Sequence, residues 1–566
     1  MSGVGAAAAV GAALLIVPAV SEAEEKPAPV AGVAGAEAGT DARLTVVPRE
    51  KGRSAIRFGD DSVPYSFVSA GGVVRARELG GSGGGEAKAA TGGPVRAERA
   101  ATAATTYKTT FKVASSNWTA FGKTIALWNR DTWMYVSTVS NPANSLSASA
   151  NLAPGNYFVA SMYGIYGVDS YLLTKAFTVT NKAQTVTLTE SSAKEVAIKV
   201  DDTTARREVN AVSLTLPGGD LVGFAGGPGT TKTYATTASM SGMTLRVHEV
   251  LHKAGSSAVK NSPYRYDLVK NWAHPLPASP VVTVKTASLA KTTTTVRAQG
   301  ISAPGSYQTA HMSGDWTSVY LSSSYRFPAT FTEYVTPGAQ LAGMATYGDN
   351  QHLDLGERSL ASGTTAARTV GAGPLTPAVR SPGDSRHDGK WMFLHESQSL
   401  GDSAGNSGHD FSATTSMSLS SGGEVLATSS AASTRVSVPA GERTYEFVHD
   451  SKRRVPYALL STGIRSEWTF RSTGFGSLPL IDVALAATGL DSRNRAGTAP
   501  VGLTVTPTTR GSAGTVTGID TVEWSADGGA TWTELPLTAA GSGAKASLAV
   551  PASATFVSLR LTAGND

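Results

Sequence analysis

His248-Glu249-Val250-Leu251-His252 spells H-E-x-x-H, the residue set that zinc peptidases use. The chemistry depends on a helix. Positions four apart on one helical face aim two imidazoles at one Zn²⁺, and the intervening Glu activates the metal-bound water. On that reading His248 and His252 are ligands, Glu249 is the general base and zinc is the cofactor. A strand also puts the two imidazoles on one face, but separates them by roughly 13 Å at about 3.3 Å per residue, beyond the span of one ion. The longer zincin pattern H-E-x-x-H-x-x-G-x-x-H continues through Gly255 but meets Ala258 at its last ligand position. Asp267 and His274 downstream stand at no such spacing.

The elements that must position these residues read as strands. In Met243 to Val250, Leu245, Val247 and Glu249 share one face of an extended segment. Gly255-Ser256-Ser257 then supplies a turn, and Tyr264-Arg265-Tyr266-Asp267-Leu268 alternates as a returning strand. Leu245, Glu249 and His252 also fall at helical spacing with Gly255 as a C-cap, but no capping box precedes them. The hairpin reading leaves the chain with no metal ligand, no cofactor and no catalytic residue. The zinc peptidase through His248, Glu249 and His252 is one alternative, and a carbohydrate or cell-wall binding surface protein is another.

Other reactive-looking clusters read as turns. Gly401-Asp402-Ser403-Ala404-Gly405 is like the surroundings of a trypsin-type nucleophile, with His395 near in sequence, but the upstream His and Asp motifs of that fold are missing. Arg386-His387-Asp388-Gly389 and Ser407-Gly408-His409-Asp410 are polar loops without ligand spacing. Trp524 to Trp532 fits the Asp-box S-x-D-x-G-x-T-W, a hairpin device in which Asp527 binds turn amides and Trp532 packs on the sheet. Trp118, Trp128, Trp133, Tyr163 and Tyr166 make an aromatic-rich region that could stack on sugars or fill a core. Asn117-Trp118-Thr119 is a glycosylation sequon.

Composition narrows the class. The 566 residues carry a net charge of +5 with dispersed Lys and Arg, which gives no focused field for nucleic acid. No cysteine is present, so disulfides, thiolate metal sites and cysteine nucleophiles are excluded. The apolar run from Val4 to Val20, followed by Ser21-Glu22-Ala23, predicts a signal peptide over residues 1–23. That run is shorter than the roughly 20 residues a spanning helix needs, and no later stretch predicts a membrane span.

Residues 24–105, rich in Ala, Gly, Pro and Glu, predict a mostly disordered leader with a small ordered piece at Leu44 to Val47 and Tyr65 to Val68. From Tyr107 onward, short runs of Val, Ile, Thr, Tyr and Trp between Gly, Pro and Asn predict an all-β chain of several Ig-like or transthyretin-like sandwiches in tandem. Leu152-Ala153-Pro154-Gly155-Asn156-Tyr157 resembles the corner entering a strand in transthyretin-like sandwiches, and similar turns recur at Pro439 to Tyr445 and Ala303 to Tyr307. Domains are expected over 106–195, 196–300, 301–480 and 481–566.

From about residue 180, the order of short motifs resembles the non-catalytic C-terminal β region of secreted actinobacterial subtilisin-like (S8 family) serine peptidases. Carrying it are Ser262 to Val269, Phe327 to Gly338, Gly373-Pro374-Leu375, Ser466 to Ser472, Leu478-Pro479-Leu480, Trp524 to Trp532 and Phe556 to Arg560. The family's catalytic D-[ST]-G, H-G-T-H and G-T-S-M-A motifs are absent from this sequence. The resemblance implies a relative of the accessory β region without peptidase activity, and it favours a hairpin at His248 to Leu268. The expected protein is extracellular and secreted, a non-catalytic binding or accessory module whose partner is an extracellular protein or a cell-wall glycan.

Overall fold

In the computed structural model, strand backbone is described at residues 7–10, 44–48, 54–58, 65–70, 73–78 and 86–90. From 105 to 565 all is described apart from 115–120, 141–144, 165–168, 227–231, 237–240, 313–316, 378–384, 396–398, 510–515 and a few single positions. The described residues form β-strands joined by turns, with two three-residue 3₁₀ turns at Glu190–Ser192 and Thr286–Ser288. The all-β expectation holds. No described helix is long and apolar enough to cross a membrane.

Period-two alternation builds the first sandwich. In Tyr107–Ala114, Thr109, Phe111 and Val113 are buried while Lys108, Lys112 and Ala114 are exposed. That strand lies between Ser147–Leu152 and Gln184–Thr189. The facing sheet has six strands, with Gly155–Gly164 paired to Phe121–Asn129 and to Asp169–Val179. The Pro154-Gly155 corner delivers Tyr157 to the core. Its hydroxyl donates to the Ala153 carbonyl at 2.9 Å, and its ring stacks on Phe177.

Two larger sheets follow. A ten-stranded sheet runs in the order 365–370, 290–296, 329–335, 264–273, 244–253, 205–215, 221–226, 65–70, 73–78, 86–90. A nine-stranded sheet includes 317–327, 303–311, 341–347 and 351–358 as its centre. The division expected near residue 300 therefore falls inside one sheet, because Tyr264–Asp267 pairs in parallel with Thr332–Val335 and so joins the two halves. Pairing of this kind leaves no mark in local sequence.

The leader carries strands where the small ordered piece was expected, at Leu44–Pro48 and Tyr65–Ala70, and further strands at Ser54–Phe58, Val73–Glu78 and Glu86–Ala90 that were not expected. Strand 65–70 pairs antiparallel with Leu221–Gly226, and Phe67 and Val68 are buried in two different core clusters. Strands 44–48 and 54–58 join the edge of the nine-stranded sheet. An open edge next to a buried apolar strand attracts pairing, and these alternating segments supply it despite Gly-rich flanks. Residues 7–10, within the expected signal peptide, run antiparallel to the final strand.

Downstream, two four-stranded sheets enclose Met392, Leu394, Leu419, Phe447, Trp468 and Phe470, and this core continues into the last sandwich through Leu480, Leu485 and Leu561. A polar knot ties the last sandwich to the large sheets. Asn494 donates to the carbonyls of Ala298 and Gly371 and accepts from the Gly373 amide, while the Gly371 amide donates to Asp402. Gly371 has φ +68°, and a Cβ there would meet the Tyr347 hydroxyl at 2.0 Å. Both facts require glycine.

Phe67→Ala is expected to cost about 3–5 kcal/mol, the usual loss for truncating a buried Phe. Urea unfolding measures it; an unchanged midpoint would show that strand 65–70 is not part of the folded core.

Candidate functional site

The H-E-x-x-H segment lies within strand Thr244–Lys253, which pairs antiparallel with Ala205–Thr215 on one side and Tyr264–Ala273 on the other. It is a central strand, as the hairpin expectation required. Alternation sends Leu245, Val247 and Leu251 into the core cluster that includes Trp128 and Phe158. Glu249 lies on that side, whereas His248, Val250 and His252 face the nine-stranded sheet.

The three motif residues therefore have separate partners. Arg207 clamps Glu249 with bonds of 2.7 and 2.8 Å, and the carboxylate is fully buried. Burial pushes the Glu249 carboxyl up while the Arg207 guanidinium pulls it down. His248 Nε2 lies 3.4 Å from Asp267 Oδ1, and His252 Nε2 lies 3.2 Å from the Tyr325 hydroxyl. The zinc-peptidase alternative is corrected here: an extended backbone holds the imidazoles apart and turns Glu249 to the opposite face. Asp267, raised as a third ligand, is committed to Arg265. His274 lies outside the described residues, as does Ala258.

What the segment supports is a buried ionic clasp. Arg265 and Asp267 are both fully buried on the inner face of strand Tyr264–Ala273. Arg265 Nε donates to Asp267 Oδ2 at 2.8 Å, and Nη2 donates to Oδ1 at 3.1 Å. The same guanidinium reaches the opposite sheet, donating to the Thr309 hydroxyl at 2.7 Å, the Leu321 carbonyl at 3.1 Å, the Tyr307 carbonyl at 3.3 Å and the Ser323 hydroxyl. Thr309 in turn donates to Asp267. The guanidinium is thus met by one carboxylate, two hydroxyls and two carbonyls across two sheets, with Nη2 shared among three of these acceptors. Burial would raise the Asp267 carboxyl, but Arg265 and His248 outweigh it and hold it well below the usual range.

Two similar clasps occur elsewhere in the large sheets. Glu333 accepts from Arg358 at 2.6 Å, Thr294 at 2.6 Å and Tyr307 at 3.1 Å. Arg453 pairs with Asp410 at 2.9 Å and Gln351 at 2.7 Å, with Tyr457 donating to the same carboxylate. Sequence reading passed over all three. The available signal was an Arg, Asp or Glu at an inward position of a strand that is otherwise apolar, as in Tyr264 to Leu268 and Phe331 to Val335.

The remaining candidates are dispersed. Asp402 accepts from the amides of Gly371, Ala404 and Asn406 and from the Asn406 side chain, so it fixes a loop. His395 ends strand Trp391–His395, which belongs to a different sheet from Ser399–Gly401. His387 bonds Ser472 at 2.7 Å, and Asp388 caps the Trp391 amide. His409 stands across the ladder from His352, and Asp410 turns inward to Arg453. Asp527 accepts from Ser525 and from the Thr531 amide and hydroxyl, as an Asp-box hairpin requires, and Arg560 of the final strand lies 4.5 Å over the Trp532 ring.

Of the aromatic group, Trp128 is fully buried and donates to Asp220 at 2.7 Å. Trp133 packs on Phe158 and against the turn at Gly218, and Tyr163 is buried with its hydroxyl on Glu190. These three build core and junction. Trp118, Tyr166 and the sequon at Asn117 lie outside the described residues. Among the described residues, no group of three or more His, Cys, Asp or Glu converges as a metal site would require.

No protein-family model matches the chain, and no curated protein matches it. Among solved structures it is similar to BcpA, the major pilin subunit of Bacillus cereus, at 10% identity over 47% of this chain and 98% of that one, with a TM-score of 0.12. A streptococcal ancillary pilin gives 11% identity over 47% and 99%, with a TM-score of 0.12. A Ca²⁺-stabilised, ice-binding adhesin of an Antarctic bacterium gives 13% over 72% and 94%, with a TM-score of 0.09.

Asp267→Ala strands Arg265 as an unpaired buried charge and is expected to cost about 3–5 kcal/mol. Urea unfolding of the variant checks it, and a loss below about 1 kcal/mol, the scale of an exposed pair, contradicts a buried clasp. A second expectation concerns acid. Burial, with the Arg265 charge adding to it, pushes His252 down to about 3. The unfolded chain then takes up the His252 proton near pH 6.5 while the folded chain does not, so this contribution is complete above about pH 6.5 and is lost as pH falls toward 3. At pH 5 the loss is about 2 kcal/mol. His252→Gln should flatten stability between pH 6.5 and 5; an unchanged slope would show that His252 is not buried in its neutral form.

Proposed function

We propose that this chain is an extracellular, non-catalytic binding or accessory module, related to the C-terminal β region of secreted S8 serine peptidases. The observation that carries the reading is the fate of the H-E-x-x-H residues. Each is buried in a central strand and spent on a different neighbour, Glu249 on Arg207, His248 on Asp267 and His252 on Tyr325. A catalytic group has to meet substrate with its reactive atoms free, and these atoms are already paired beneath two sheets.

Support for the S8 relationship comes from the motif order in the sequence and from the hairpin it implied at His248 to Leu268, which Thr244–Lys253 and Tyr264–Ala273 form. Support for an extracellular setting comes from the apolar run of Val4 to Val20 followed by Ser21-Glu22-Ala23. A module of this kind works through its surface, with the interior devoted to rigidity.

Purified protein is expected to carry substoichiometric zinc, to leave casein uncleaved, and to co-sediment with isolated bacterial cell envelopes. One equivalent of zinc together with proteolysis that disappears in Glu249→Gln would contradict the reading.

A further inference from the structure

The four-stranded sheet of 433–437, 391–395, 386–388 and 475–477 buries Met392, Leu394 and Val436 on one face. The other face is turned outward and carries cations interleaved with aromatic rings. Arg386 stands opposite Phe393 in the ladder, and Phe393 stands opposite Arg435, so three adjacent strands align these side chains. The Arg435 guanidinium lies 3.8 Å from the Trp391 ring centroid and 5.6 Å from that of Phe393. Arg386 lies 4.1 Å over Phe393, and the Lys390 ammonium lies 5.7 Å over Trp391. Arg386, Lys390 and Arg435 are exposed, and the two rings are half-buried.

Two properties follow from this stack. Rings that already carry cations on their faces are poor platforms for a neutral sugar or a nucleobase, both of which need a free π-face. A guanidinium held flat on a ring keeps its N–H edge free and loses little further rotamer freedom when it grips a two-oxygen anion. Among the residues of these four strands the single carboxylate is Asp388, and its Oδ1 already accepts the Trp391 amide. The two arginines sit on strands either side of 391–395, about 10 Å apart at two strand spacings. A polymer that repeats its charge can engage both.

We propose that this face binds an acidic polysaccharide, with Arg386 and Arg435 gripping its anionic groups edge-on and Lys390 adding a third point of charge. The inference rests on the extracellular binding role and names the chemistry of its ligand. Carboxylate and sulfate groups share the required two-oxygen geometry.

The test uses the full chain with polygalacturonate, heparin, neutral dextran and a single-stranded oligonucleotide, titrated over a salt series. Saturable binding is expected to polygalacturonate or heparin, with the preferred polymer identifying the anionic group, and none to dextran. The double variant Arg386→Gln, Arg435→Gln should bind at least tenfold more weakly and show a salt slope reduced by about two, one for each arginine replaced. Arg435→Lys, which keeps the charge and loses the planar edge, should bind severalfold more weakly with an unchanged melting temperature. Wild-type affinity in the double variant, equal affinity for the oligonucleotide, or no binding to either acidic polymer at low salt would overturn the proposal. Envelope co-sedimentation that survives in the double variant would overturn this site and leave the binding role standing. Its absence in the unaltered protein would remove both.

Discussion

The fully buried Arg265–Asp267 pair holds the centre of this molecule together. Removing two charges from water costs several kcal/mol per ion, and the cost is offset only where geometry is good and every remaining donor is met. Here the guanidinium is met on five sides, by a carboxylate in its own sheet and by hydroxyls and carbonyls in the facing one. A one-residue slip of strand Tyr264–Ala273 would turn both charges to the opposite face, so the pair specifies register far more sharply than the apolar residues around it. We read it as a register pin, repeated at Glu333–Arg358 and Asp410–Arg453.

Such pins suit a cysteine-free chain of mainly long-range pairing. Apolar burial drives collapse but discriminates poorly between neighbouring registers, and disulfides are unavailable to fix them. The knot of Asn494, Gly371 and Asp402 performs the corresponding task between the large sheets and the last sandwich, where backbone groups at turns would otherwise be buried without partners. Placing ionisable residues in these structural roles has a functional consequence. Arg265, Asp267, Glu333, Arg358, Asp410 and Arg453 are spent on the fold, and the proposed recognition falls to the surface, where the cation–aromatic stack around Trp391 and Phe393 lies.

Much of this was legible in the residues themselves. Alternation identified the strands, the turns at Pro154-Gly155 and Pro439 to Gly441 delivered Tyr157 and Tyr445 to cores as expected, and the Asp-box hairpin formed around Asp527, whereas Ala303 to Tyr307, expected as a similar turn, runs as unbroken strand with Tyr307 buried. The hairpin of His248 to Leu268 was readable because Leu245 and Val247 alternate and Gly255 breaks the run. What sequence could not disclose depends on distant partners. Strand 264–273 is joined to 329–335 with Tyr264 opposite Thr332, and although 44–48 and 65–70 read as short strands, nothing local showed which sheet edges would receive them. The chemistry at H-E-x-x-H followed the same rule: the letters fit zinc, and the backbone conformation decided otherwise.

Amide hydrogen exchange resolved to peptides tests the central claim most directly, because it reports whether the strands on either side of the Arg265–Asp267 pair open together. The account predicts that 244–253, 264–273 and 303–311 exchange in the slowest class, with one common opening free energy equal to that of global unfolding and with no response to added zinc. Fast exchange at 244–253 independent of the other two, or protection there that appears when zinc is added, would contradict it.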